Sequence, residues 1–402
     1  MTTSESLARP QPRTAGRARK APLRVAIVHD FLTQRGGAER VVLHLAEILR
    51  DPVILTSVYC KDLTYPEFAE LDVIATRTLE PASAERFRRH ALSYLRGFRK
   101  LDLSFADLVV VSSSAFAHHV SHHRSLVYWH SPPRFLYDPA AYFGGGLAAR
   151  AVRSALAPLR VPDRNAALHH AGHCANSMAT AQRLERCYGI RAPVIHPPLS
   201  GARLPARPAP LPQVATALVV SRLLPYKRVD IAIKACELLG LPLTIVGTGP
   251  SEASLRAVAG RGVTFAGSLS DVELAAAFAS AAVVVAPGVE DLGYVPLEAN
   301  AHGRPVVAAK AGGALETVIP GVTGELVGGT DPRSWARAIS GLLDRRLDPG
   351  SLQLATAPFG ARAFDSIFAA WMSRWVDPRE ALRTEVMAAL EPDLEAVQAV
   401  LS

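Results

Sequence analysis

Apolar positions along the chain alternate between two rhythms, starting at Leu23. "LRVAIVHD" is a short β-branched run of the type buried on both faces of a parallel sheet. After "FLTQRGG" the period becomes helical: in "AERVVLHLAEILR", Val41, Leu45, Ile48 and Leu49 share one face. Further strands are predicted at "PVILTSV", "ADLVVVSS", "SLVYWH" and "APVIHPP". From Leu199 to Thr216 the pattern stops, and prolines at 205, 208, 210 and 212 mark a linker. It then restarts with strands at "ALVVSR", "LPLTIVG", "GVTFAG", "AVVVAP" and "PVVAAK". These are separated by helices at "VDIAIKACELLG", "PSEASLRAVA", "SDVELAAAFASA" and "PLEANAHG".

Strands alternating with helices indicate βαβ units and parallel sheets. The expected architecture is α/β, with two Rossmann-like domains facing each other across a cleft. Its parts are a disordered tail (1–22), a first domain (23–199), a linker (200–216), a second domain (217–355), a C-terminal helix (356–376) and a second tail (377–402).

The 402 residues suffice for two independent cores, and a chain 49% hydrophobic and 20% charged is ordinary for a soluble protein. The longest apolar stretch, "LAAAFASAAVVVAP", is too short for a bilayer, which needs ~20 residues. The polar, arginine-rich opening lacks the apolar segment of a secretory signal. Cys60, Cys174, Cys187 and Cys236 lie far apart, in no metal-binding or redox spacing, and read as reduced thiols of a cytoplasmic protein.

A net charge of +8 implies an anionic partner. Part of the excess lies in "ERFRRHALSYLRGFRK", residues 85–100, where arginines are interleaved with Phe87, Leu92, Tyr94, Leu95 and Phe98. That composition suits a helix lying on the anionic inner face of the plasma membrane, or a solvated surface helix. It matches no nucleic-acid motif, so nucleic acid is not expected as a partner.

In open α/β sheets, ligands bind beyond the carboxyl ends of the strands. The turn after "ALVVSR" carries Arg222 and Lys227 just before a helix, an arrangement suited to phosphate or to a plain surface pair. "VGTGPS" supplies Gly247 and Gly249, only half of a dinucleotide fingerprint. Glu290 follows the strand "AVVVAP", and Glu298 falls in the first turn of the next helix, which has Pro296 near its start and Gly303 as its stop. A carboxylate accepts two hydroxyls at once, which suits a sugar ring. In the first half, Gly36 and Gly37 shape the first strand-to-helix turn, and His130 ends a strand before Pro132 and Pro133.

Taken together, "SRLLPYKRVDIAIKA", "VGTGP", "FAGSLSDVEL" and "EDLGYVPLEANAHGRPVVAAKAGGALETVIPGVTGELV" resemble retaining glycosyltransferases of family 4, whose fold is GT-B. The glutamate pair at E-x7-E spacing is that family's signature. "FLTQRGGAERVV", "YWHSPPRFLYD" and "ANSMATAQRLERCYG" are similar to its bacterial mannosyltransferases of polysaccharide and glycolipid synthesis. "HSPPR" replaces the commoner "HTP" wording, and the last 24 residues have no counterpart.

The resemblance implies a hexosyltransferase that uses a nucleotide sugar, GDP-mannose first, without metal or other cofactor. A lipid-linked or saccharide acceptor would bind the first domain. Arg222 and Lys227 would hold the diphosphate, and Glu298 the ribose. Glu290 and the amides of Gly293, Tyr294 and Val295 would contact the transferred sugar. Gly36 and Gly37 would close on the diphosphate, His130 would sit beside the anomeric carbon, and Asp271 would reach the base. The alternatives are a UDP-sugar donor and a non-catalytic sugar-nucleotide-binding subunit.

Overall fold

Val25–His29 (β1) is buried along its whole length and pairs in parallel on both sides, with β2 (Val53–Tyr59) and β4 (Leu108–Ser113). β3 (Val73–Thr78), β5 (Ser125–Trp129) and β6 (Gly172–Ala175) complete a six-stranded sheet in the order β3-β2-β1-β4-β5-β6. The computed structural model describes residues 23–50, 52–78, 91–139, 147–199 and 204–375. Both tails lie outside the described residues, as do residues 85–90 of the basic stretch.

The second sheet repeats the plan. β7 (Ala217–Val220), β8 (Leu243–Val246), β9 (Val263–Gly267), β10 (Val283–Ala286), β11 (Val306–Ala309) and β12 (Gly324–Val327) run in the order β12-β11-β10-β7-β8-β9, all parallel. Each sheet therefore has one place where the strand order reverses: between β1 and β4, and between β7 and β10. Connections leave to opposite faces there, opening a crevice at the carboxyl ends. "APVIHPP" forms no strand; Val194 makes only an isolated bridge to Ala175, at the end of β6.

Two apolar layers sandwich each sheet. The helix Gly37–Leu49 buries Val41, Val42, Leu45 and Leu49 against β1, in the face expected from its spacing. That layer also receives Phe364, Phe368, Trp371 and Met372 from Ala361–Met372, so the last described helix packs on the first sheet. Leu199 bridges Gly360, so the outgoing and returning crossings lie side by side. Fully buried Arg304 donates from Nη2 to the carbonyls of Ala209 (2.8 Å) and Pro210 (3.0 Å), tying the linker to the second domain.

The helix Ala91–Phe98 bears on the basic stretch. Tyr94, Leu95 and Phe98 are buried in the first domain, whereas Arg96, Arg99 and Lys100 face solvent. Three of the apolar side chains expected to meet lipid are thus used in the core, while Phe87 and the side chain of Leu92 lie outside the described residues. Among the described residues no helix is long and apolar enough to cross a membrane.

Candidate active site

The two crevices are chemically different. In the first domain, Asp30 directly follows β1 and turns its carboxylate onto the loop after β4. It accepts from the backbone N–H groups of Ser114 (2.5 Å), Ala115 (2.9 Å), Phe116 (2.6 Å) and Ala117 (2.7 Å). The N–H cradle that could hold an anionic ligand is filled by the protein's own carboxylate.

The second crevice is open. A pocket continuous with solvent lies at the ends of β7 and β10 and is lined by Ser221, Lys227, Gly288, Glu290, Gly293 and Val295, among others. The helix Tyr294–Ala301 begins here with no side-chain cap. No side chain of the cap residue competes for its first N–H groups, and the helix dipole favours an anion there. Gly293 permits this start: its φ of 89° is left-handed backbone that other residues adopt only with strain.

Lys227 is buried and forms an ion pair with Glu290. Burial, with Arg222 and Arg134 nearby, pulls its ammonium down to about 7, partly offset by Asp291. The Glu290 carboxylate also works against that fall by favouring the charged form. Arg222 is exposed and reaches across the cleft to Gln34 Oε1 at 3.1 Å. Glu298, only 3% exposed, accepts from Arg40 Nη1 at 3.1 Å, while Arg40 Nη2 donates to the Tyr65 hydroxyl at 3.0 Å. Both signature glutamates thus already hold cations.

Other contacts join the domains. Arg183 donates to Asp291 (2.6 Å) and Ser131 (2.9 Å). Glu316 of the second domain accepts from the N–H groups of Met178 (2.8 Å) and Ala179 (3.2 Å), the start of the first domain's helix Met178–Tyr188, and pairs with His196 at 2.9 Å. A side-chain carbon added at Gly37 would lie 2.6 Å from the Tyr294 ring, so this glycine is required by close approach across the cleft.

Pocket and cleft bring together Lys227, Glu290, Gly293, Val295, Tyr294, Glu298, Arg222, Gly36 and Gly37. Two expected residues stand apart. His130 is buried and its Nε2 is directed at Ser112 Oγ (2.8 Å), which also meets His29 Nδ1 (3.0 Å). Burial and His29 push His130 down to about 3, so it is neutral near pH 7. His130 thus takes a hydrogen-bonded position just past the end of β5, and its placement beside the transferred sugar stays a proposal. Asp271 is exposed at the start of the helix Asp271–Ser280 and does not line the pocket.

Sequence reasoning missed Asp30, Glu39, Arg40, Arg134, Arg183, Asp291 and Glu316. Glu39 is buried, its Oε2 has no hydrogen-bond partner, and burial raises its carboxyl to about 7. Adjacency was the available signal, since Glu39 and Arg40 follow the paired glycines and Asp291 follows Glu290.

Residues 215–345, the core of the second domain, match the family described as glycosyl transferases group 1. The match is confined to the second domain. Within the matched segment lie the pocket, Arg222, Lys227 and Glu290 and Glu298. A D-inositol 3-phosphate glycosyltransferase of Mycobacterium marinum is 36% identical over 180 residues, covering 40% of this chain and 39% of that protein. One from Mycobacterium avium is 37% identical over 174 residues, covering 38% and 41%. The chain thus matches about two-fifths of the length of these relatives.

Among solved structures, Anabaena HepE in complex with UDP-glucose aligns with a TM-score of 0.63 at 20% identity, covering 87% of this chain and 99% of that one. Sucrose-phosphate synthase from Thermosynechococcus elongatus aligns with a TM-score of 0.64 at 17% identity, covering 91% and 100%. At such identities the likeness is one of fold: the second domain and its N-terminal neighbour form a GT-B pair.

Proposed function

We propose that the chain transfers a hexose from a nucleotide sugar to a lipid-linked or saccharide acceptor, with retention of configuration. The observation that carries this reading is the open pocket of the second domain. There Lys227, Glu290 and an uncapped helix N-terminus converge within the segment matching glycosyl transferases group 1.

In this reading Lys227, Arg222 and the N–H groups of Tyr294 and Val295 stabilise the charge that grows on the departing diphosphate. Such preorganised groups usually make the largest catalytic contribution. Glu290 holds the transferred sugar, and Glu298 exchanges part of its bond with Arg40 for the ribose hydroxyls. The acceptor hydroxyl attacks on the face the diphosphate leaves, and a phosphate oxygen takes its proton. The contacts across the cleft support closure over the donor, which excludes water as a competing acceptor.

The sequence resemblance favours GDP-mannose as donor. A UDP-sugar is the second reading, favoured by HepE, whose solved complexes contain UDP and UDP-glucose. The curated relatives are named for D-inositol 3-phosphate, which adds a phosphorylated polyol to the acceptors to be tested. Membrane contact through residues 85–100 would not use Tyr94, Leu95 and Phe98, which lie in the core.

A thermal-shift panel with GDP, UDP, ADP and their sugar conjugates, run on wild type and Lys227→Ala, tests the site. One base should stabilise the wild type, by about 2.7 kcal/mol at ligand near 100 times Kd, and the variant should lose that gain. No stabilisation by any nucleotide would leave the catalytic reading without support and favour a non-catalytic subunit.

A further inference from the structure

Arg134 opens the helix Arg134–Tyr137, just past His130 and the two prolines. It belongs to the first domain, yet its guanidinium carbon lies 5.4 Å from the centroid of the Tyr226 ring in the second. Lys227 Nζ lies 5.0 Å from the same ring. Two cations from opposite domains therefore flank one aromatic side chain at the mouth of the pocket.

The two are not equally satisfied. Lys227 has Glu290, and neighbouring Arg183 has Asp291. Arg134 meets no carboxylate or carbonyl among the described residues, and its Nε is buried without an acceptor. A buried N–H of a charged group left unpaired is costly, and like charges facing across a closing cleft add to that cost. Arg134 lies close enough to Lys227 to help depress its ammonium. An anion between the domains removes both penalties, and the guanidinium fork matches phosphoryl oxygens in geometry.

We propose that Arg134 binds a phosphoryl group in the cleft together with Lys227, making the anion site a product of both domains. This rests on the nucleotide-sugar reading given above. The phosphoryl group comes either from the donor diphosphate or from a phosphorylated acceptor. In both cases Arg134 couples binding to closure, because its partner cation sits on the other domain.

Calorimetric titration of the full chain with GDP, UDP and ADP, each beside its monophosphate, tests this on wild type, Arg134→Gln, Arg134→Lys and Lys227→Ala. If the donor is the source, Arg134→Gln weakens the preferred diphosphate about ten- to hundredfold. Monophosphate affinity then stays level, and Arg134→Lys recovers part of the loss. If the acceptor is the source, diphosphate affinity holds, but diphosphate-loaded wild type binds inorganic phosphate and loaded Arg134→Gln does not.

Equal binding of diphosphate and of phosphate by wild type and Arg134→Gln, at equal melting temperature, overturns the proposal and leaves Arg134 a packing residue on Tyr226. If Arg134→Gln melts early, the same comparison is made with Arg134→Lys, which keeps the charge but loses the fork; its identity with wild type overturns the proposal equally. Loss of diphosphate binding in Lys227→Ala, with Arg134→Gln matching wild type for both diphosphate and, once loaded, inorganic phosphate, removes this inference alone. Absence of any nucleotide binding by wild type removes it together with the reading on which it rests.

Discussion

Glu39 and Lys227 are buried ionisable side chains near the cleft whose charged forms are both penalised, with opposite dependence on pH. The Glu39 carboxyl is raised from an ordinary 4.5 to about 7. Below pH 4.5 it is protonated in folded and unfolded chains alike and costs nothing. Between 4.5 and 7 only the unfolded chain releases the proton, so stability falls, and above 7 the penalty is constant. At 1.36 kcal/mol per unit its ceiling is about 3 kcal/mol. Glu39→Gln should therefore match wild type at pH 4 and gain an advantage that opens from pH 4.5 to 7 and then levels. Denaturation curves across that range would show it, and a gap independent of pH would rule the mechanism out. For Lys227, lowered to about 7, the penalty is full below that pH and fades toward 10.5. The burial of neither was legible in the sequence, because it is produced by segments that meet only on folding.

At the scale of elements, central strands were legible, but of the edge strands only β9, within "GVTFAG", was. β1, β4 and β10 are flanked on both sides by other strands and covered by apolar layers, so they are continuous apolar runs. β3 (VIATRT), β6 (GHCA) and β12 (GELV) lie at sheet edges, where one side is unpaired and polar residues are tolerated. Their mixed sequences carry no clear period. The last described helix contributes to the fold through aromatic burial: Phe368 is 1% exposed and stacks on Phe364 at 5.3 Å between ring centroids. Phe368→Ala should destabilise the first domain by about 3–5 kcal/mol. Because the pocket is in the other domain, nucleotide affinity of the folded variant should stay within twofold of wild type. Chemical denaturation followed by titration checks both halves of that statement. A large loss of affinity in folded protein would show that this helix shapes the pocket.

For the whole molecule, the domains are held face to face by charge. Arg40–Glu298, Arg183–Asp291 and the Glu316 contacts with His196 and the helix Met178–Tyr188 all cross the cleft. Removing two of these should shift the population toward an open form, since ligands and contacts act by differential stabilisation of two states. Arg183→Met combined with Glu316→Gln should enlarge the radius of gyration in small-angle scattering, and a bound nucleotide should restore the compact value. An unchanged radius would mean that Arg40–Glu298 and the Gly37–Tyr294 contact suffice for closure.

Local pattern alone determined the α/β class and the two blocks of alternating strand and helix; Arg222, Lys227, Glu290 and Glu298 were singled out by their places at strand ends and by the resemblance, and their roles stay proposals. Helical and strand periods depend on near neighbours in the chain, and those are visible in a sequence. Which crevice is open was decided only by tertiary structure. Asp30 fills the first from 84 to 87 residues away, and Arg40 meets Glu298 across 258. Charges and hydrogen bonds act through space, so their partners are set by how the two sheets pack and carry no signature of spacing along the chain.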